Sequence, residues 1–190
     1  MSNTQTFDAL IIGAGISGMF QLHRLREQGM SVKVFEAGTG VGGTWYWNRY
    51  PGARFDSESY SYHYSFSKEI LDEWDWSEHF AAQPEILDYL NFVADKLDLR
   101  KDIQFQTRIK SATYLEVENV WEVVTEKGET ARGKILVSAT GPLSAPQMPK
   151  IDGIDDFAGP SFHTGNWPHE DIDLTNKRVG VVGTGATGVQ

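Results

Sequence analysis

The 190-residue chain contains no cysteine. Disulfides, thiolate metal sites and cysteine redox chemistry are therefore excluded. It also lacks a basic run: 17 Lys and Arg stand against 26 Asp and Glu, a formal net charge of −9. Neither nucleic acid nor an anionic membrane surface is an expected partner of such a chain. No apolar stretch approaches the length of a membrane span. The N-terminus shows no basic region followed by an apolar one, so no secretion signal is read there. A soluble, cytoplasmic protein is the default expectation. The abundant class is aromatic, with six Trp, seven Tyr and ten Phe. Such a stock suits an ordinary core as well as a wall around a flat ligand. The length allows one domain and part of another.

Residues 7–36 are the stretch on which the rest is organised. Residues 7–12 are a short apolar run of the buried-strand type. Gly13, Gly15 and Gly18 follow in the G-x-G-x-x-G spacing. The first glycine allows a tight turn, the second lets backbone approach a pyrophosphate, and the third lets a helix pack close to the strand. A helix over 17–28 would point its free N–H groups at that phosphate. Residues 32–35 read as the second strand, with Glu36 at its end, close to the ~20-residue distance at which an acid binds an adenosine ribose diol. A carboxylate there repels a ribose 2′-phosphate, so this first site suits FAD or NAD rather than NADP.

Residues 37–43 are too glycine-rich for a regular element and read as a backbone loop, with Gly42 and Gly43 suggesting a second close approach to ligand. Trp45, Tyr46, Trp47 and Tyr50 come next, interleaved with Arg49, Arg54 and Asp56. These aromatics read as core packing, with a wall beside a cofactor as the sharper alternative. Residues 60–73 have no clear period and read as a short helix or irregular chain. Residues 84–97 predict a helix with Pro84 at its start and Ile86, Leu90, Val93 and Leu97 on one stripe. Its charged residues, Glu85 among them, read as a solvated face. Strands are expected over 103–107 and 109–114. A hairpin is expected over 120–125 and 129–137, turning at Lys127-Gly128. The last of these runs ends on Ser138, Ala139, Thr140 and Gly141, small residues that again suit backbone close to a ligand. Residues 142–177 read as a linker rich in proline at its start. Residues 178–182 predict a new strand, followed by Gly183, Gly185 and Gly188 in the same spacing as the first turn. A strand and turn without the helix and strand that complete the unit lead to the expectation of a piece of a longer protein, or one completed by a second chain.

Two such turns separated by a hairpin region resemble the two-dinucleotide flavoproteins. Within that group, FAGPSFHTGNWP (157–168) is similar to the Baeyer–Villiger monooxygenase signature F-x-G-x-x-x-H-x-x-x-W-P, matched at Phe157, Gly159, His163, Trp167 and Pro168. GGTWYWNRYPGARFD (42–56) resembles the same family's FAD-proximal loop. The resemblance implies an α/β fold. A Rossmann-like FAD-binding domain (1–141) would carry a three-stranded insertion, a linker (142–177) would hold the signature, and residues 178–190 would begin an NADP-binding Rossmann unit. It implies FAD held by Gly13, Gly15, Ser17, Gly18, Glu36, Gly43, Thr44, Trp45, Tyr46, Trp47, Asp56, Tyr62, Ile109 and Gly141. NADPH would be met by Gly183, Thr184, Gly185, Ala186, Thr187, Gly188 and Gln190. His163 and Trp167 would belong to a hinge between domains. Arg54 and Asp56 would face the nicotinamide and the reacting centre.

The implied reaction is reduction of FAD by NADPH, addition of dioxygen at flavin C4a, and attack of that peroxide on a ketone to give an ester or lactone. Stabilising the anion calls for a fixed cation in a dry pocket. The family's arginine for that role lies downstream and is absent from this sequence, and Asp56 would orient it. The chain by itself is thus expected to shape an FAD site without turning over ketone. Steady ketone-dependent NADPH consumption by the purified chain would overturn that expectation. The alternatives are an N- or S-oxidising flavin monooxygenase, whose relatives usually lack the WYWNRYPG run, and a non-catalytic FAD-binding fragment. A flavin disulfide reductase is excluded by the missing cysteines.

Overall fold

A computed structural model describes residues 4–190. The strands are β1 Gln5–Ile12, β2 Val32–Phe35, β3 Ile103–Gln104, β4 Ile109–Leu115, β5 Val120–Thr125 and β6 Thr130–Ser138. They form one six-stranded sheet of order β3-β2-β1-β6-β5-β4. β3, β2, β1 and β6 run parallel, and β6, β5 and β4 are antiparallel neighbours. β6 therefore belongs both to the expected three-stranded insertion and to the parent sheet. β1 is apolar on both faces because both are covered. Ala9 and Ile11 enter the main core, while Leu10 joins Phe35, Val123 and Ala131 in a second cluster on the other face.

α1 (Ile16–Glu27) connects β1 to β2 and buries Met19 and Leu22. The short α2 (Thr44–Trp47) sits where an irregular aromatic loop was expected. α3 (Lys68–Glu73) is started by Ser67, whose side chain accepts the Ile70 N–H. α4 (Gln83–Lys96) fits the predicted stripe, with Ile86, Leu90 and Val93 fully buried. Its Glu85 is no idle surface charge: the carboxylate accepts from the N–H and hydroxyl of Ser77, both at 2.7 Å. The hairpin turns as expected, with Gly128 at φ +83° and its N–H bonded to the Thr125 carbonyl. β3 is shorter than the expected 103–107, because Gln106 at φ +51° turns the chain out of the ladder.

The expected strand over 178–182 does not form. Val179, Val181 and Val182 are exposed, and no strand among the described residues pairs with them. An apolar run becomes a strand only where a neighbour supplies its hydrogen bonds and covers its face. Among the described residues, no helix is long and apolar enough to cross a membrane.

Aromatic rings fill the space between α1, α3 and α4. Burial pushes the Tyr64 phenol far above the usual range, and it pushes Tyr89 up to about 12. Both are held neutral in the fold, while an unfolded tyrosine ionises near 10. The stability they contribute is complete below about pH 10 and is lost as pH rises through 12. A denaturant midpoint followed against pH should fall over that interval, in step with the appearance of tyrosinate absorbance. A midpoint flat through that interval would contradict the burial of these phenols.

Candidate functional site

The site begins where β1 ends. Gly13 has φ +102°, donates its N–H to the Phe35 carbonyl at 2.8 Å, and a Cβ on it would lie 2.5 Å from the Ala139 oxygen. A Cβ on Gly18 would collide with the Gly13 carbonyl, so α1 can lie on the turn only with glycine there. Gly15 has a neighbour that its spacing did not reveal: a Cβ on Gly43 would be 2.8 Å from the Gly15 Cα. The Gly42 N–H donates to the Ala14 carbonyl at 3.0 Å, so the two glycine-rich loops are seated on each other. α1 starts from Gly15 with no side-chain cap and no acid in its first turn. Its leading N–H groups thus remain available as a positive pole.

Glu36 is 5% exposed at the end of β2. One carboxylate oxygen accepts from the Ala14 N–H and the other from the Gly38 N–H, each at 2.7 Å. A buried carboxylate is tolerated only when so paired. Here it ties the first turn to the loop after β2.

These parts border a cleft of about 500 Å³. Its walls include Gly13, Gly15, Ser17, Glu36, Gly43, Thr44, Trp45, Trp47, Tyr62, Ile109 and Gly141, all expected from the sequence. Trp45 is at once wall and core. It is 8% exposed and meets Phe55 and Tyr62 edge-on at 5.1 and 5.9 Å. Gly18 lies beneath the cleft rather than in it. Tyr46 is turned away, its hydroxyl 2.7 Å from that of Thr39 and its ring 5.5 Å from the Arg49 guanidinium carbon. Sequence reasoning missed Asn48, Thr107 and Arg108, which also border the cleft. Gln106 offers no visible turn signal, yet its left-handed φ brings the next residue back so that the Thr107 N–H reaches the Glu36 carbonyl at 2.8 Å.

Arg54 and Asp56 do not line this cleft. Arg54 pairs with Glu78 at 3.3 Å on the surface, and Asp56 is exposed. Asp56 accepts instead from the Gln190 side-chain amide at 2.7 Å, which also donates to the Arg54 carbonyl at 3.1 Å. The Gln190 Oε1 accepts from the Tyr50 hydroxyl at 2.7 Å. Gln190 thereby ties the second glycine turn to the 50–56 loop, a contact between residues too far apart in sequence to be read from spacing. The second turn copies the first. Gly183 has φ +123°, Gly185 precedes α5 (Ala186–Val189) in nearly the conformation of Gly15, and a Cβ on Gly188 would press on the Gly183 oxygen. Residues 183–190 stand outside the first cleft.

The signature segment closes one side of the cleft. His163 caps a 3₁₀ turn, Thr164–Asn166, by accepting the Gly165 N–H on Nδ1 at 3.0 Å. That turn places Gly165 and Asn166 on the wall beside residues 142–145. Trp167 packs on Phe162 at 5.3 Å. Phe157 is exposed, folded over Gly159, where a Cβ would be 2.8 Å from its ring. His163→Ala removes a cap, a loss of about 1 kcal/mol. It should loosen whatever ligand the cleft holds by roughly 5-fold. His163→Asn, which can cap in the same way, should restore most of it. Equal affinities for the alanine and asparagine variants in a titration would show that the cap does not shape the wall.

A family model described as flavin-binding monooxygenase-like matches residues 8–190. The chain belongs to that family. A Baeyer–Villiger monooxygenase from Pseudooceanicola batsensis is 53% identical over 193 residues, covering 99% of this chain and 35% of that protein. A phenazine N-monooxygenase from Lysobacter antibioticus is 51% identical over 185 residues, with 97% and 34% coverage. Among solved structures, the OTEMO complex with FAD and NADP superimposes with a TM-score of 0.91 at 51% identity, covering 98% of this chain and 36% of that one. The chain thus spans about a third of the length of the relatives it matches.

Proposed function

We propose that residues 1–141 form the FAD-binding part of a Baeyer–Villiger monooxygenase, that 142–177 link it to the nicotinamide unit, and that 178–190 begin the NADPH site. The observation that carries this reading is the cleft bordered by an uncapped helix N-terminus, a buried acid and a signature turn. Its size is of the order expected for a small-molecule site, and its polar groups are of the right kind for a dinucleotide. The comparisons support it: the matched complex holds FAD and NADP, and a relative of 53% identity bears the Baeyer–Villiger name.

In this reading Gly15 and Ser17 present N–H groups to the FAD pyrophosphate, Gly13, whose own N–H is held by the Phe35 carbonyl, makes the tight turn, and Gly18 lets α1 approach. Glu36 exchanges one backbone partner for the adenosine ribose diol. Ile109 meets the adenine through its backbone, and Thr44, Trp45, Trp47 and Tyr62 flank the ring system. Residues 183–188 receive the NADPH pyrophosphate. FAD held by these residues would supply hydride acceptance from NADPH and the activation of dioxygen for insertion beside a ketone carbonyl. The chain's own residues bind, orient and keep water from the ring face, while Asp56 stands ready to pair with a cation from elsewhere in the enzyme.

The test is the visible spectrum of the purified protein, with the released flavin identified. A two-banded spectrum with FAD on release supports the site; a colourless protein that also fails to quench added FAD fluorescence overturns it. The second reading, heteroatom oxidation, is favoured by the phenazine N-monooxygenase relative. A full-length protein that oxidises phenazines or thioethers and never a ketone would select it.

A further inference from the structure

The aromatic core leads away from the cleft. Trp45, on the cleft wall, contacts Phe55 at 5.1 Å, and Phe55 contacts Trp76 at 5.5 Å. Trp76 meets Trp74 at 5.9 Å. Trp74 and Trp76 are only partly buried and flank Asp75, which is exposed. Contacting rings thus connect the cleft to an acidic surface. A second observation concerns the same three indoles. Among the described residues, the buried side-chain polar atoms without a hydrogen-bond partner are Nε1 of Trp45, Trp74 and Trp76. An unpaired buried N–H is destabilising, and phenylalanine would fill most of the same space without one. Trp45 lines the cleft, but Trp74 and Trp76 do not. Packing alone accounts poorly for tryptophan at those two positions.

We propose that Trp45, Trp76 and Trp74 form an electron relay that carries oxidising equivalents from the flavin cleft to the surface. The proposal rests on the FAD reading above. Where no proton can leave, indole is the most easily oxidised of the aromatic side chains. Tunnelling falls exponentially with distance, so a path of contacting rings outruns one long step. With no acceptor beside Nε1, an oxidised Trp76 or Trp74 keeps its proton, and the positive hole stays mobile. The exposed carboxylate of Asp75, adjacent in sequence to Trp74, favours the hole at the outer end, whereas Glu73 is paired with Lys96 at 2.8 Å. Tyr89 touches Trp76 at 4.9 Å but is a poor carrier, because its oxidation requires loss of a proton that burial holds tightly.

The electron balance is simple. One electron leaves Trp45 for an oxidant in the cleft: photoexcited oxidised flavin in the test, or in use a hydroxyl-type radical from activated oxygen, reduced to hydroxide. Trp76 refills Trp45, Trp74 refills Trp76, and a solvent reductant such as ascorbate refills Trp74. No bond to the protein forms or breaks.

Flash photolysis of the FAD-loaded protein tests this, with bound flavin first verified by its visible spectrum. The wild type should show indole cation radical absorbance and a slowly decaying charge-separated state. Trp76→Phe should form the first pair and lose it at least tenfold faster, since the hole cannot leave Trp45. Trp121→Phe, on β5 and off the path, should decay like the wild type. Unchanged decay in Trp76→Phe overturns the relay. Where that variant fails to fold, Trp74→Phe is read in the same way, with ascorbate expected to scavenge the hole at least tenfold more slowly and an unchanged scavenging rate overturning the relay. Failure of the wild type to retain FAD would overturn the FAD reading, and the relay with it; retained FAD with unaltered decay sinks the relay alone.

Discussion

Gly18→Ala is expected to lower the melting temperature by roughly 6–12 °C and to abolish flavin retention. The added methyl would overlap the Gly13 carbonyl, which is backbone and cannot rotate away. Relief requires α1 to move off the turn that supports it. Overpacking of this kind costs about 3 kcal/mol, and a chain of this length loses about 2–4 °C per kcal/mol. Gly180→Ala is the matched control. It lies two residues past the start of the expected strand, has no atom within 4 Å of an added Cβ and needs no left-handed backbone, so it should melt like the wild type. Thermal melts of the two variants, read with the flavin spectrum, check the argument. A Gly18→Ala protein as stable and as yellow as the wild type would mean that α1 does not sit where it is described.

Glu36→Gln carries the second large effect. The carboxylate accepts two backbone N–H groups, one from each loop that it joins. An amide has only one oxygen, so its NH2 must face the other N–H donor, and the negative charge is lost as well. Hydrogen bonds to a charged group contribute about 1.5–3 kcal/mol, which translates to roughly 10- to 100-fold weaker FAD binding. Fluorescence titration of the stripped protein measures this directly. Retention of wild-type affinity would show that Glu36 serves neither the loops nor the ribose. A carboxylate at this position would repel a ribose 2′-phosphate, so NADP is expected not to compete with FAD at this cleft.

Much of the first half was legible because its information is local. The 7–36 stretch carries a strand, a turn and a helix whose steric needs fall on neighbouring residues, and the same holds for the repeat at Gly183, Gly185 and Gly188. α4 showed itself by period, and the β5–β6 hairpin by Lys127-Gly128. The aromatic run at Trp45–Trp47 was ambiguous between core and wall, and it is both, because Trp45 has one edge on the cleft and its body against Phe55.

Residue types and spacing by themselves determined the βαβ unit, the acid at the end of β2 and the second glycine turn. Each depends on φ angles, periodicity or short-range sterics that a contiguous segment settles alone. Only the tertiary structure decided that Gly15 faces Gly43, that Arg54 and Asp56 stand away from the cleft, and that Gln190 joins the 50–56 loop to the second turn. It alone decided that His163 builds a wall by capping a turn, and that 178–182 stays unpaired. Those outcomes depend on which distant segments meet, and a hydrogen bond or a strand exists only when its partner is in place.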